Sequence, residues 1–300
     1  MRLSEIADTK ALSVSEFFGI FKLRIAAFIM VSAVAGLAIT PGTIPAAPQV
    51  ALLALSVFLA AAAAGAFNQW AEADLDARMA RTAGRPFASG RIAASWTWFL
   101  GITMLLAVSC TLAAFAANGW SAIYTFLGAF TYAVIYTLWL KPRTWLNIVV
   151  GGLAGSFAVL AGAAAVDPNL AAEPVLLAIA LFLWTPPHFW SLAIALHADY
   201  KANVVPMLPV LIGDRLCARV ILAHVVALSL ISLMPALYGR GAIYFAFAVT
   251  GGAIFIATSI VLVAQPTKRR AIHNFLASMV QLMLLQIGTM LDRWVLGGLG

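Results

Sequence analysis

The sequence predicts an all-α, polytopic membrane protein: nine transmembrane helices in two four-helix pseudo-repeats plus one, around a central cavity open to the cytoplasmic side. Three observations predict it. Of 300 residues, 63% are hydrophobic and 10% charged, with mean hydropathy +0.99. A water-soluble domain is nearer half apolar and a quarter charged, so this chain is solvated by lipid. Apolar runs long enough for about 30 Å of hydrocarbon recur from end to end. Lysine and arginine fall almost entirely on alternate connections between those runs.

The runs cover 23–39, 50–67, 96–116, 120–140, 145–166, 174–197, 217–237, 242–264 and 271–294. Helix is the expected form of each, because backbone polar groups in lipid must be satisfied within their own segment. With the N-terminus inside, one face receives Arg2, Lys10, Lys22, Arg24, Arg78, Arg81, Arg85, Arg91, Lys141, Arg143, Lys201, Arg215, Arg219, Lys268, Arg269 and Arg270. The other keeps Arg240 and Arg293. That division places the N-terminus in the cytoplasm and the C-terminus opposite, with an odd number of spans. The net charge of +7 is then membrane topology and calls for no nucleic-acid partner. Arg2 and Lys10 mixed with Glu5, Asp8 and Glu16 do not resemble an acid-poor transit peptide, which points to a bacterial inner membrane. Cys110 and Cys217 have no metal-ligand spacing and are expected to stay reduced.

Residues 1–22 read as a cytoplasmic segment and 23–296 as one transmembrane domain. Its pseudo-repeats are expected over 23–140 and 145–264, with the ninth helix over 271–294. The two long connections, 68–95 and 199–216, each follow the second helix of a block. The first opens "NQWAEADLDARMARTAGRP". Continued as helix, it puts Asn68, Glu72 and Asp76 on one face, one turn apart, with Asp74 off that face. Arg78, Arg81 and Arg85 would fall on a neighbouring face. Stepped oxygen donors suit Mg²⁺, which takes one or two carboxylates and completes its shell with water and substrate phosphate. Arginine alongside suits bidentate phosphate binding. A solvated helix end held by Glu–Arg pairs would show the same spacing. Against it, an unpaired acid near membrane depth costs roughly 2.5 kcal/mol or more.

The second connection reads "HADYKANVVPMLP", with Asp199 and Asn203 four apart, Tyr200 and Lys201 between, and Pro206 and Pro209 ending any helix. Before it, "LWTPPHFWSLAIALH" places adjacent Pro186 and Pro187 inside the sixth run. A kink there would open a pocket beside His188, among Trp184, Phe189 and Trp190. His188 could be a hydrogen-bonded core residue or could touch a flat metal-bearing ligand. Lys22 and Arg24, and Lys141 and Arg143, either anchor the cytoplasmic interface or ring the cavity mouth and bind anions.

"NQWAEADLDARMARTAGRP" resembles the first motif of the UbiA superfamily of intramembrane prenyltransferases. "WTPPHFWSLAIALHADYKANVVPMLP" looks like the second-loop signature of its haem O synthase branch. The resemblance implies that Asn68, Glu72 and Asp76 hold Mg²⁺ on the diphosphate of farnesyl diphosphate. It implies that Arg78, Arg81 and Arg85 contact that diphosphate or haem propionates, that Asp199, Tyr200 and Lys201 close the site with Asn203, and that His188 faces the tetrapyrrole or its iron. Arg24, Lys141 and Arg143 join as anion-binding groups. Glu72 and Gln69 depart from the usual superfamily pattern, Asn203 stands where quinone-making relatives carry a second acid, and Leu23 where the branch often has Pro. The implied reaction joins the farnesyl group to a vinyl of haem B with addition of water, giving haem O and diphosphate. Haem A synthase or terminal oxidase subunits would be the receiving partners, within membrane lipid. The alternatives are a UbiA-type enzyme acting on a quinone or chlorophyll precursor, a transporter, and a non-enzymatic haem-binding assembly factor.

Overall fold

The computed structural model describes residues 12–203 and 205–297, and in them every regular element is helical. Arg2, Lys10, Glu5 and Asp8 lie outside the described residues. Helix α1 (Val14–Ile20) starts at a capping box, Ser13 with Glu16, and meets α2 (Leu23–Ile39) at a 48° bend. The first run is therefore the longer arm of a bent pair. Lys22, at the bend, adopts the left-handed conformation (φ 49°, ψ 45°).

Helix α3 (Ala47–Ala71) outlasts its apolar run by a turn. A single residue, Glu72, separates it from the short α4 (Ala73–Arg78). The chain is extended at Met79 and then turns, so Arg81 and Arg85 are not on a helix and the arginine face expected from helical spacing does not form. Helix α5 (Trp96–Ala116) follows, then α6 (Gly119–Phe130), which continues without a break as a π-helix, Thr131–Leu140. The fourth run was expected as ordinary α-helix. Its second half is wound more widely, with i→i+5 bonds such as Lys141 N–H to Tyr136 carbonyl at 2.9 Å.

The fifth span is α7 (Asn147–Gly151) with α8 (Leu153–Ala164), and the sixth is α9 (Ala172–Ala195). Pro186 and Pro187 do not interrupt α9, so the expected kink is no break in the helix. The second connection holds α10 (His197–Ala202) and α11 (Leu208–Ile212). The chain ends with α12 (Asp214–Leu233), α13 (Ala242–Ala264) and α14 (Lys268–Gly297). Among the described residues, eight helices are long and apolar enough to cross a membrane, nine if the bent pair counts as one span. Consecutive spans touch, and α14 against α2 closes the circuit.

Across the middle, α2 meets α8 backbone to backbone. A Cβ at Gly36 would overlap the Val159 carbonyl, and one at Gly162 the Ala33 carbonyl. In lipid, where helices gain no hydrophobic driving force from one another, such small residues permit the close packing that holds them. Buried hydroxyls and amides add interhelical bonds, Gln286 to Ser32 at 2.6 Å among them. Cys110 and Cys217 are free.

Candidate active site

The site grows from the end of α3. Asn68, Glu72 and Asp76 are 2%, 7% and 3% exposed, whereas Asp74 faces out. The helix is interrupted at Glu72 (φ −101°, ψ 15°), yet the Asp76 N–H still donates to the Glu72 carbonyl at 2.8 Å, so the two acids remain one turn apart. The expected stepped triad is present and points inward.

Each member is met by a cation from a different element. Arg85 donates to the Asp76 carboxylate at 2.5 Å, Lys141 to Glu72 Oε2 at 2.6 Å, and Lys22 Nζ to the Asn68 amide oxygen. The burial cost of the acids is thus offset by Arg85 and Lys141. Glu72 Oε1 remains buried with no partner among the described residues.

The π-helix explains how Lys141 arrives. Nine residues of α-helix would put Lys141 about 180° around from Tyr132. At roughly 4.4 residues per turn, as i→i+5 bonding requires, nine residues bring it back to about 20°. Tyr132 and Tyr136 consequently stack, 5.4 Å apart at 13°, with Lys141 Nζ 5.9 Å from the Tyr136 ring centre and Lys22 Nζ 5.6 Å from that of Tyr132. The same winding turns Thr137 toward Asn68, whose Nδ2 donates to its hydroxyl at 2.9 Å.

Lys22 enters through the bend between α1 and α2. Gly65 makes room for that bend, since a Cβ there would stand 3.1 Å from the Phe21 carbonyl. Gln69 holds it, donating to the Gly19 and Ile20 carbonyls at 2.8 and 3.2 Å. Gln69, a departure from the motif, here has a structural task. Tyr132, Tyr136 and Thr137 were absent from the expected site set, and Lys22 was expected either as an interface anchor or as an anion-binding group at the cavity mouth. Two residues along a helix are about 200° apart, so Lys22 and Arg24 could not both face inward, and it is Arg24 that is exposed. Arg143 is exposed as well and donates to the Leu138 and Trp139 carbonyls. Arg78 and Lys201 are also exposed and form no ion pair among the described residues. The structure does not bring Arg24, Arg78, Arg143 or Lys201 into the cluster.

The second connection meets the first through Tyr200. Its phenol is buried, which raises its pKa above the usual 10.0; the Asp199 charge raises it further and the Arg81 guanidinium acts in the opposite direction. Arg81 thus reaches the second loop while its own residue is largely exposed. Asn203 Nδ2 donates to the Asp199 backbone oxygen at 2.9 Å and to its carboxylate at 3.3 Å. His197 Nδ1, 2.7 Å from Asp214, ties the loop to α12.

Residues 29–284 match the UbiA prenyltransferase family. The chain belongs to that family. It is 51% identical over 278 residues to a Paramagnetospirillum magneticum protein named protoheme IX farnesyltransferase 2, spanning 93% of this chain and 96% of that one. A second protein of that organism, protoheme IX farnesyltransferase 1, is 43% identical over 93% and 98% of the two chains. A digeranylgeranylglyceryl phosphate synthase has the same fold, with TM-score 0.76 at 17% identity over 93% of this chain and 98% of that one. So has a UbiA homolog from Archaeoglobus fulgidus bound to DMAPP and Mg²⁺, with TM-score 0.66 at 14% identity over 90% and 99%.

In this UbiA member His188 lies deeper, in α9. It is 6% exposed, with Trp184 on one ring face at 4.2 Å and Phe275 of α14 on the other at 4.4 Å. Its Nδ1 is 2.6 Å from the Ser278 hydroxyl.

Proposed function

We propose that the chain transfers the farnesyl group of farnesyl diphosphate to a vinyl group of protohaem IX, with addition of water, giving haem O and diphosphate. Asn68, Glu72 and Asp76 would hold Mg²⁺. The donor chemistry fits: one amide and two carboxylate oxygen donors, buried, with Glu72 Oε1 lacking any other partner among the described residues. That orphaned oxygen is the observation that carries the reading. When bound, the metal supplies charge stabilisation for the diphosphate leaving group.

The chain's own groups do the rest. Lys22, Lys141 and Arg85 are poised to take up negative charge as the allylic C–O bond breaks. Tyr200 and Arg81 join the two loops over the acids and shield the farnesyl cation from water. The vinyl group attacks that cation, and water captures the resulting charge on the tetrapyrrole side chain. No strong nucleophile is needed from the protein. A farnesyl chain of about 15 carbons, favouring lipid by up to ~0.8 kcal/mol per carbon, accounts for chemistry inside a membrane. The loop side is assigned to the cytoplasm of a bacterial inner membrane from the lysine and arginine distribution. The matched loops after α3 and α9 support the two pseudo-repeats, 23–140 and 145–264, with α14 as the appended helix.

The test is an assay of membranes holding this chain with protohaem IX, farnesyl diphosphate and Mg²⁺. Haem O should form, and should vanish with a chelator or with Asp76→Asn. Haem retained without any conversion would instead identify an assembly factor, the second reading that the stacked His188 favours.

A further inference from the structure

Between α13 and α14, at the end of the bundle that carries the charged loops, lies a groove of about 280 Å³ lined by Ala257, Thr258, Val261, Arg270 and His273. At ~30 Å³ per water it has room for roughly nine waters, more than a single small ion fills. It belongs to neither loop, and the proposed reaction leaves it without a task. One wall is apolar, with Ala257 and Val261 exposed one turn apart on α13. The other is cationic. Arg270 and His273 stand three apart on α14, and the exposed Arg269 stands four before His273, so the three share one side of the helix. Arg270 Nη1 donates to the Val261 carbonyl at 3.3 Å, which anchors the guanidinium at the groove. Its Nε and Nη2 bond to no described residue and are not sealed from their surroundings. The walls differ in depth as well. Arg270 is two residues past the start of α14, whereas Ala257 is seven residues, about 10 Å, inside the end of α13. The charge therefore sits at the surface and the apolar wall runs inward.

No acid answers these cations. The sequence has no Asp or Glu between Asp214 and Asp292, and Asp214 is bonded to His197. Lys268, Arg269 and Arg270 form no ion pair among the described residues. An anionic head on a hydrocarbon tail matches both walls at once, with phosphate oxygens on the guanidinium and the tail against Ala257 and Val261. The inner side of the groove is also tied to the sixth span. Thr258 donates to Asn274 Oδ1 at 2.7 Å, Asn274 Nδ2 to Ser191 Oγ at 2.9 Å, and Ser191 to the Pro187 carbonyl at 2.6 Å. An occupant would brace α13 and α14 where they hold α9.

We propose that this groove binds an anionic phospholipid of the leaflet on the loop side, with its phosphodiester on Arg270, Arg269 and His273 and one acyl chain along Val261 and Ala257. Basic pockets between membrane helices take phospholipid head groups in this manner. A prenyl diphosphate has a similar head and tail, but it travels with Mg²⁺, and no carboxylate lines the groove to receive the metal. A singly charged phosphodiester needs none.

The experiment is native mass spectrometry of the purified, detergent-solubilised full chain titrated separately with phosphatidylglycerol, phosphatidylcholine and farnesyl diphosphate. The native protein should retain phosphatidylglycerol in preference to phosphatidylcholine. Arg270→Gln should lower that retention about fivefold, the worth of one basic group beside an anionic head. Arg143→Gln, which removes an exposed cation elsewhere on the same side, should leave it unchanged. Ala257→Trp fills the groove without altering its charge and should lower retention as well. Phosphatidylglycerol should raise the unfolding temperature of the native protein and not that of Arg270→Gln. Should Arg270→Gln not fold, His273→Glu, an exposed position, should abolish retention by placing an acid in the groove. Equal losses from Arg143→Gln and Arg270→Gln would reduce the effect to diffuse surface charge and overturn the site. So would full retention in Ala257→Trp or His273→Glu, or no preference over phosphatidylcholine. Displacement of phosphatidylglycerol by equimolar farnesyl diphosphate would overturn the phospholipid assignment and make the groove a substrate site. None of these readouts uses turnover, so loss of the transferase reading would leave them intact.

Discussion

The two charged loops begin alike and end differently. Each follows a long helix interrupted at one residue in a similar conformation, Glu72 (φ −101°, ψ 15°) and Leu196 (φ −113°, ψ 24°), and each resumes as a six-residue helix. Around the first break, Asn68, Glu72 and Asp76 are buried and each is met by a cation drawn from another part of the chain, while Asp74 faces out. After the second, Asp199 is half-buried and bonded by the neighbouring Asn203, with Lys201 in the open. Equivalent backbones therefore carry unequal electrostatics. The first loop gathers buried acids and cations, whereas the second contributes one buried phenol.

The largest test of that inequality is Asp76→Asn against Asp199→Asn. Removing a carboxylate from the first loop should lower haem O formation about a thousandfold, near the upper range for losing one preorganised electrostatic group. Removing Asp199, which already has a neutral partner, should cost roughly tenfold. Turnover in membranes at matched protein level checks both, and equal losses would mean that the loops share the charge evenly. Next in size is Lys141→Met. It strips the Glu72 carboxylate of the one cation bonded to it among the described residues, and leaving a buried acid uncompensated costs about 3 kcal/mol. Thermal unfolding should drop accordingly, with a hundredfold loss of turnover on the order of that energy. Added Mg²⁺ should recover part of the thermal loss, because the cation would occupy the oxygens that Lys141 had covered.

This asymmetry was half legible in the amino-acid sequence. The stepped positions of Asn68, Glu72 and Asp76 survive a one-residue helix break because the backbone bond across it is kept. The span ends of α2, α5 and α13 fall where the apolar runs end, since burial in lipid leaves no other choice. What escaped was anything set by winding or by a bend. Lys141 reaches Glu72 only through a π-helix, and nothing in "TYAVIYTLWL" distinguishes that from an α-helix. Lys22 turns inward at a left-handed residue that spacing alone does not announce. Arg78, Arg81 and Arg85 were placed on one face by assuming a helix that stops at Arg78. The assumption fails because Met79 is extended and Arg85 folds back on Asp76. His188 was visible as a residue, but the Ser278 that orients it lies 90 positions away in sequence.

Smaller effects sharpen the picture at the second loop. Tyr200 is buried and its pKa lies above 10.0, so its hydroxyl stays protonated through any ordinary assay. Tyr200→Phe should then reduce turnover a few-fold, by about the 1 kcal/mol of one lost hydrogen bond, with the same ratio to wild type from pH 7 to 9. The sign follows from the shift. A raised phenol pKa favours the neutral form in the folded state, so any penalty for ionising it appears only as pH climbs past 10.0. A ratio that changed within pH 7 to 9 would mean that Tyr200 ionises and acts as a base, making the second loop a chemical participant. The smallest effects belong to Arg24, Arg78, Arg143 and Lys201. Each is exposed and outside the cluster, so single alanine substitutions should leave turnover within about twofold, as surface changes commonly leave stability within about 0.5 kcal/mol. A tenfold loss at Arg78 or Lys201 alone would show that substrate draws the loops together around a charge that the first loop's own cations do not satisfy.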